Sequence, residues 1–344
     1  MKPFISMLIG VAALSAGCAS VPKTMPRPVE PAYPLAPLPP YVTPETPQGK
    51  GAFPALMEVD PGLATHTVYR PANLAALGAT KLPILAWGNG GCVNIGNRFR
   101  YFLTEIASHG FIGIANGPIV SRQAEEVASS SMVKVPPAPG SPAALQVSNL
   151  PEGQRPAATT AKQLIDAIDW AIAENARPAS KYFGRIDTSK IAVMGQSCGG
   201  LQAIDAAHDP RVTTLGVWNS GAFPADGRAY QIAAANADKA TLQTLHGSAI
   251  YITGAPTDVA FPNAMDDFDR INHIPVFHGW REQTGHTGVY REPNGGEYGE
   301  AAVAWLKWQL KGDQTAARMF SGADCGMCKK PNWHVKSKRI EAVK

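Results

Sequence analysis

Short apolar runs alternate with longer amphipathic segments along most of the chain, and each pattern predicts one kind of element. The apolar runs are bounded by glycine, proline or polar residues, as is typical of strands buried in a sheet. We predict strands at 64–70, 82–87, 111–115, 190–194, 212–218, 249–253 and 274–277, the last being the final strand of the fold.

The amphipathic segments predict helices between these strands. One helix is expected to begin at Thr160, which forms a capping-box pattern with Gln163 and precedes a stripe of apolar residues. The other helices are expected at 97–108, 199–207, 261–271 and 297–310. Strands that alternate with helices predict an α/β fold, with a mostly parallel sheet covered by helices on both faces. Ligands then bind at the carboxyl ends of the strands.

We expect a single domain of this kind over residues 52–312, with no internal repeat. Within it, 117–158 is irregular and has a proline-rich centre, which predicts a lid or binding insertion. Residues 313–344 form a C-terminal extension that ends in a basic, solvated tail.

Composition agrees with a globular domain. The chain has 344 residues, of which 45% are hydrophobic and 17% charged, enough apolar material for a large core. The net charge is only +4, and no basic stripe interleaved with aromatic residues is present, so we expect no nucleic-acid partner.

The N-terminus has the features of a targeting segment. Residues 1–18 carry a lysine at position 2, continue with a short apolar stretch and end at Cys18, as in the signal peptide of a bacterial lipoprotein. Proline-rich residues 19–51 suit an extended tether. We therefore expect an exported protein, anchored to the outer membrane or cell surface by lipid on Cys18. Ordinary signal cleavage, giving a periplasmic or secreted protein, is the alternative.

Cysteine usage fits export. If Cys18 carries lipid, four of the five cysteines remain, an even number in an oxidising compartment. Cys325 and Cys328 form a single C-x-x-C pair without a second pair to complete a zinc site, so we expect a short disulfide between them.

The most informative motif is Gly195-Gln196-Ser197-Cys198-Gly199, which lies between a predicted strand and a predicted helix. G-x-S-x-G in that context is typical of a nucleophile elbow, a sharp turn that needs small residues on both sides of the serine. The helix N-terminus is then directed at the reacting oxygen. Ser197 is the predicted nucleophile.

A serine nucleophile needs a base, and the base needs an orienting carboxylate. Asp258 follows the strand two beyond the elbow strand, and His286 lies between two glycines in the loop after the next strand, so we predict these as acid and base. The competing candidates are Asp266, Asp267 and Asp269, expected on a solvated helix face, and His278, at a strand end.

Two backbone N–H groups are needed to stabilise the tetrahedral intermediate. One is expected from Cys198, the residue after the nucleophile. The other is expected from the glycine-rich loop that follows 82–87, where Asn89 stands in the place of the histidine of a His-Gly-x loop. Gly91 is the predicted donor, with Cys92 as the alternative.

Together these residues resemble an α/β-hydrolase-superfamily serine esterase, over about residues 60–312. The chain is similar to the secreted branch with dienelactone-hydrolase-like, cutinase-like and acetylxylan or feruloyl esterases. The likeness rests on 89–91, 102–116, 185–187 before the elbow, Asp258, His286 and the ending with Cys325 and Cys328. It implies that Cys92 and Cys198 follow neighbouring strands and can form a disulfide.

The resemblance implies ester hydrolysis through an acyl-serine intermediate, without metal or cofactor. The expected substrates are acyl or feruloyl esters of polysaccharide, polyesters or lipid esters. Trp218, Phe223 and Trp280 lie near predicted strand ends and are candidates for the acyl site. A peptidase or thioesterase on the same scaffold, and a non-catalytic binding lipoprotein, are the alternative functions; the sequence does not indicate the oligomeric state.

Overall fold

A twisted sheet forms the centre of the protein. The computed structural model describes Tyr33, Pro39 and residues 42–124, 159–224 and 235–341. Nine strands lie within these ranges, in the order β1-β2-β4-β3-β5-β6-β7-β8-β9. They are β1 (Ala55–Glu58), β2 (His66–Pro71), β3 (Leu82–Gly88), β4 (Ile112–Asn116), β5 (Ile186–Gln196), β6 (Thr214–Trp218), β7 (Ser248–Thr253), β8 (Val276–Arg281) and β9 (Trp333–Lys338).

Helices connect the strands. The described α-helices are α1 (Arg100–Ser108), α2 (Ala161–Ala176), α3 (Cys198–Ala206), α4 (Phe261–Arg270), α5 (Gly296–Lys311) and the short α6 (Gln314–Ala317). Single 3₁₀ turns lie at Pro61–Leu63, Leu74–Leu77, Gly90–Cys92, Thr241–Thr244, Pro293–Gly295 and Met327–Lys329. The predicted capping box of Thr160 and Gln163 begins α2.

The central strands run parallel, and antiparallel strands lie at both edges. β3 pairs in parallel with β4 and β5, and the parallel series continues through β6, β7 and β8. β2 is antiparallel to β1 and β4, and β9 is antiparallel to β8. The predicted α/β fold with a mostly parallel sheet is confirmed.

Two hydrophobic cores lie on the two faces of this sheet. Successive side chains of a strand point to opposite faces, and in β3 Ile84 joins one core while Leu85 joins the other. The first core also contains Leu164 of α2 and Ile204 of α3, and the second contains Trp305 of α5. The sheet is therefore covered by helices on both faces.

The edges of the sheet differ from the sequence prediction. The segment 274–277 was predicted to be the last strand, but β9 follows it and pairs with β8 along its full length. Residues 333–338 of the predicted C-terminal extension therefore belong to the same sheet as the strands of the predicted domain. The basic segment is also not simply a solvated tail, because Lys338 Nζ donates to the carbonyls of Phe268 and Asp269 at the end of α4. β1 was not predicted either.

Several predicted segments lie outside the described residues. They include the signal segment with Cys18, most of the proline-rich 19–51 and residues 125–158 of the predicted insertion. Several described residues of the proline-rich segment contact the domain. The Tyr33 hydroxyl lies 3.1 Å from Thr257 Oγ1, the Pro39 carbonyl accepts from the Tyr101 hydroxyl, and the Gly51 N–H donates to the Ser108 hydroxyl oxygen. In the part of the chain that is described, no helix has the length and apolarity to cross a membrane.

Candidate active site

Ser197 lies at the turn between β5 and α3, in a backbone conformation that few L-residues adopt. Its φ is 54° and its ψ is −120°, and a residue held there costs about 1–3 kcal/mol. Ser197 N–H donates to the Trp218 carbonyl at 2.9 Å, and the Ser220 hydroxyl donates to the Ser197 carbonyl at 2.7 Å. These bonds hold the strained turn at the carboxyl end of the sheet.

The glycines around Ser197 are needed because three backbone segments meet there. A Cβ on Gly195 would lie 2.2 Å from the carbonyl oxygen of Gly199, and a Cβ on Gly199 would lie 2.1 Å from the carbonyl of Gly88. Gly88 and Gly195 are partners in the β3–β5 ladder. The motif therefore extends in space to Gly88, a member that the linear G-x-S-x-G pattern does not contain.

His286 and Asp258 are brought to Ser197 as predicted from their order in the chain. His286 Nε2 lies 2.8 Å from Ser197 Oγ, and His286 Nδ1 lies 2.8 Å from Asp258 Oδ1. Asp258 follows β7 and His286 follows β8, and their loops are joined where Ala255 N–H donates to the Thr284 carbonyl at 2.7 Å. The three side chains thus form a continuous hydrogen-bonded series.

The Asp258 carboxylate is fully buried and receives four hydrogen bonds. Oδ1 accepts from His286 and from the Ala260 N–H, and Oδ2 accepts from Asn219 Nδ2 at 2.8 Å and from the Gly254 N–H at 3.0 Å. Burial alone would raise the pKa of Asp258, but the bonds from His286, Ala260 and Asn219 outweigh it and hold this pKa below its usual value. The carboxylate is therefore ionised at neutral pH.

Gln196 links the elbow to the histidine loop. Its Nε2 donates to the His286 carbonyl at 2.9 Å, and its Oε1 lies so close to Gly90 that a Cβ there would be 1.8 Å away. One side chain next to the nucleophile therefore contacts both the histidine loop and the loop after β3. Sequence reasoning treated Gln196 only as the variable position of the motif.

The loop after β3 is fastened to the elbow by a disulfide. Cys92 and Cys198 are bonded with a Cα–Cα distance of 5.3 Å, and Cys325 and Cys328 form the second disulfide. The Cys92 N–H donates to the Asn89 carbonyl at 3.1 Å, so that group is already used within the turn. Gly91 is therefore the better candidate for the second oxyanion donor.

Asn89, which stands in the place of the histidine of a His-Gly-x loop, holds this loop in place. It is fully buried, and its Nδ2 donates to the carbonyls of Val93, Ile95 and Asn116 at 3.2, 3.0 and 2.6 Å. A neutral amide thus connects the loop to the end of β4.

The three aromatic residues predicted to bind substrate differ in how far they are buried. Trp218 is fully buried and packs against Phe102 and Tyr298 beneath the sheet, so it presents no surface to a substrate and that prediction is corrected. Phe223 is half-buried, with its carbonyl accepting from the Lys239 N–H. Trp280 is half-buried and stacks on His334 of β9 at 5.3 Å between ring centroids.

The competing acids and the competing histidine have other partners. Asp266 is half-buried and pairs with Arg270 and with Lys239 Nζ at 3.0 Å. Asp267, expected on a solvated face, is instead fully buried and accepts from Lys239 Nζ at 2.6 Å. His278 is buried beside Thr253, and burial lowers its pKa to about 3.

No protein-family model matches this chain, and a comparison with curated proteins finds no match. Among the residues that the structure describes, no group of three or more His, Cys, Asp or Glu side chains is placed to hold a metal ion. The interpretation of the site therefore depends on its own geometry.

Proposed function

We propose that this protein is an exported serine carboxylic-ester hydrolase of the α/β-hydrolase fold. One observation carries the proposal: Ser197 Oγ, His286 and the buried Asp258 carboxylate form a hydrogen-bonded series with both distances at 2.8 Å. The strained turn that presents Ser197, and its position between β5 and α3, support the same conclusion.

The reaction follows from the roles that this geometry gives each residue. His286 Nε2 accepts the Ser197 hydroxyl proton as Oγ attacks the ester carbonyl carbon, and Asp258 stabilises the imidazolium through Nδ1. The tetrahedral intermediate collapses when His286 returns the proton to the leaving alcohol, which leaves an acyl-serine. Water then attacks the acyl carbonyl with His286 as base again, releasing the acid and restoring Ser197.

The oxyanion formed in each half-reaction is stabilised by backbone N–H groups. The proposed donors are Cys198, at the first residue of α3, and Gly91, in the turn after β3. The Cys92–Cys198 disulfide joins the two segments that carry these donors. Such a bond keeps both donors in position before substrate binds, so little reorganisation is needed in the transition state.

The proposed location and substrate come from the sequence. A signal segment with Cys18, a proline-rich tether and two disulfides favour a lipid-anchored exported protein. The substrates that such a protein meets are esters outside the cytoplasm: acyl or feruloyl groups on polysaccharide, polyesters or lipid esters. Membrane contact is through the lipid on Cys18.

The proposal is tested by hydrolysis of short-chain aryl esters with a set of matched variants. Ser197→Ala should lose activity by several orders of magnitude while keeping its unfolding transition. Asp258→Asn and His286→Ala should be severely impaired. Asp266→Asn is the control, since this aspartate lies on the next helix, where it pairs with Arg270 and Lys239, and its substitution should leave activity near that of the parent.

Two outcomes would overturn the proposal. If Ser197→Ala retained activity within tenfold of the parent, Ser197 would not be the nucleophile. If the parent cleaved thioester or peptide substrates but no oxygen ester, the same site would belong to a thioesterase or peptidase.

A further inference from the structure

Behind the Asp258 carboxylate lies a second, buried series of polar groups. Asn219 directly follows β6, and its Nδ2 donates to Asp258 Oδ2 at 2.8 Å and to the Gly285 carbonyl at 3.3 Å. The Tyr290 hydroxyl donates to Asn219 Oδ1 at 2.6 Å. Asn219 is fully buried and Tyr290 is 3% exposed, so neither group has water as a substitute partner.

The hydrogen bonds determine how the Asn219 amide is oriented. Carboxylate and carbonyl oxygens only accept, so the NH₂ group must face Asp258 and Gly285, and the amide oxygen then faces the Tyr290 hydroxyl. The Asn219 backbone has φ 42°, a conformation in which asparagine is several-fold enriched, and its N–H donates to the Ile252 carbonyl at 2.7 Å. Asn219 is thereby held at its backbone by Ile252 and at its side-chain oxygen by Tyr290.

The Tyr290 ring is itself fixed by aromatic packing. It makes edge-on contacts with Phe99, Phe102 and Tyr298, with ring centroids 5.0, 5.4 and 5.2 Å away. The Tyr298 hydroxyl donates to the Thr253 carbonyl at 2.9 Å and also lies within hydrogen-bonding reach of the Asn219 side chain. The aromatic cluster thus places the Tyr290 hydroxyl against the oxygen of the amide that binds Asp258.

We infer that Tyr290 and Asn219 are positioning residues for the proposed reaction: Tyr290 orients the Asn219 amide, which holds Asp258 in line with His286. Neither touches the substrate, and both act through the carboxylate. Asn219 stabilises the charge on Asp258, and a hydrogen bond that is part of a polarised chain is stronger than an isolated one. Weakening this chain leaves Asp258 more basic, which favours the imidazolium form of His286.

Three ionisable groups besides His286 interact electrostatically with Asp258, and none of them titrates near neutral pH. They are Tyr290, Tyr298 and His278. Burial raises the pKa of both tyrosines well above 10, and burial lowers the pKa of His278 to about 3. Asp267 also titrates between these limits, because burial raises its pKa to about 6, but its partners are Lys239 and the Ala222 N–H. A shift of the acidic limb that occurs in Tyr290→Phe and not in the control variant therefore reports on the His286–Asp258 pair.

The test compares Tyr290→Phe with Tyr69→Phe. Both substitutions remove only a hydroxyl from a buried ring of the same core, but the Tyr69 hydroxyl donates to the Gly96 carbonyl at 2.8 Å. For Tyr290→Phe we expect kcat to fall about fivefold at unchanged KM, the loss typical of one hydrogen bond. The acidic limb of kcat/KM should move up by roughly half a pH unit. Tyr69→Phe should show neither change.

A double-mutant cycle tests the order of action. Asn219→Gly keeps the positive φ and removes the amide, and kcat should fall at least tenfold because a bond to a charged group is lost. Since Tyr290 acts through Asn219, adding Tyr290→Phe should lower kcat by less than twofold more. Fully additive losses would contradict the inference, as would an acidic limb that stays in place or moves to lower pH in Tyr290→Phe.

The inference rests on the proposed function, and the two fail in different ways. If the parent hydrolyses no ester, the proposed function is wrong. If the parent is active and Tyr290→Phe equals it in kcat and pH profile, only the positioning role is wrong. The low-field proton resonance of the His286–Asp258 hydrogen bond gives a readout without substrate: the midpoint of its pH titration should rise in Tyr290→Phe and stay in place in Tyr69→Phe.

Discussion

Removal of the Cys92–Cys198 disulfide should destabilise the protein much more than removal of the Cys325–Cys328 disulfide. In the chain-entropy account, a cross-link stabilises by restricting the unfolded chain, and its effect grows with the logarithm of the loop that it closes. The sequence separations are 106 and 3 residues. The same relation gives about 4.7 kcal/mol for the long loop and about 2 kcal/mol for the short one.

The perturbation is a pair of double variants, one with Cys92→Ala and Cys198→Ala and the other with Cys325→Ala and Cys328→Ala. Urea unfolding, followed by tryptophan fluorescence without reductant, gives the free energy of unfolding of each. We expect the first variant to lose about 3 kcal/mol more than the second. The first should also lose kcat, because its proposed oxyanion donors are no longer joined, whereas the second should keep it.

Equal losses of stability in the two variants would refute the loop-length argument. A Cys92/Cys198 variant with parental kcat, measured well below its unfolding transition, would refute the preorganisation argument without affecting the choice of nucleophile.

Two further predictions concern single side chains. Burial would raise the pKa of Glu58, but its hydrogen bonds to Arg70, Lys181 and Tyr182 lower this pKa from 4.5 to about 2. The ionised Glu58 therefore stabilises the folded protein fully above pH 4.5, and this contribution is lost as the pH falls towards 2. Glu58→Gln should lower the free energy of unfolding by about 2–3 kcal/mol at pH 7. Urea unfolding of both proteins from pH 7 to pH 3 should show the difference between them shrinking, and a constant difference would contradict the lowered pKa of Glu58. Gln196→Ala should lower kcat about fivefold by releasing the His286 carbonyl, whereas the exposed Gln243→Ala should not, and equal kcat values for the two would show that Gln196 does not support the site.

The sequence predicted the features that depend on local patterns. The central strands and the helices α2 and α3 have clear periodicity and clear ends. Ser197, Asp258 and His286, chosen by their order along the chain, lie within hydrogen-bonding distance of one another. These side chains come together because parallel strands separated by helices place their carboxyl ends along one edge of the sheet.

The sequence predictions were wrong or incomplete where the structure depends on contacts between residues distant in the chain. β9 is an edge strand in which only Trp333 is buried, so its apolar signal is weak. Trp218 lies at a strand end as predicted, but its side chain points to the core face. Asp267 is buried because Lys239 approaches from a separate segment. Asn219 and Tyr290 are far apart in the chain, and no linear motif joins them.

The central claim is that Ser197 is a nucleophile activated by His286, and covalent labelling tests it most directly. The parent protein is treated with a fluorophosphonate at neutral pH and digested, and the modified peptide is identified by mass spectrometry. We predict one adduct, on Ser197, formed orders of magnitude more slowly in His286→Ala and at the parental rate in Asp266→Asn. An unlabelled Ser197 in folded parent protein, or labelling that does not depend on His286, would contradict the account.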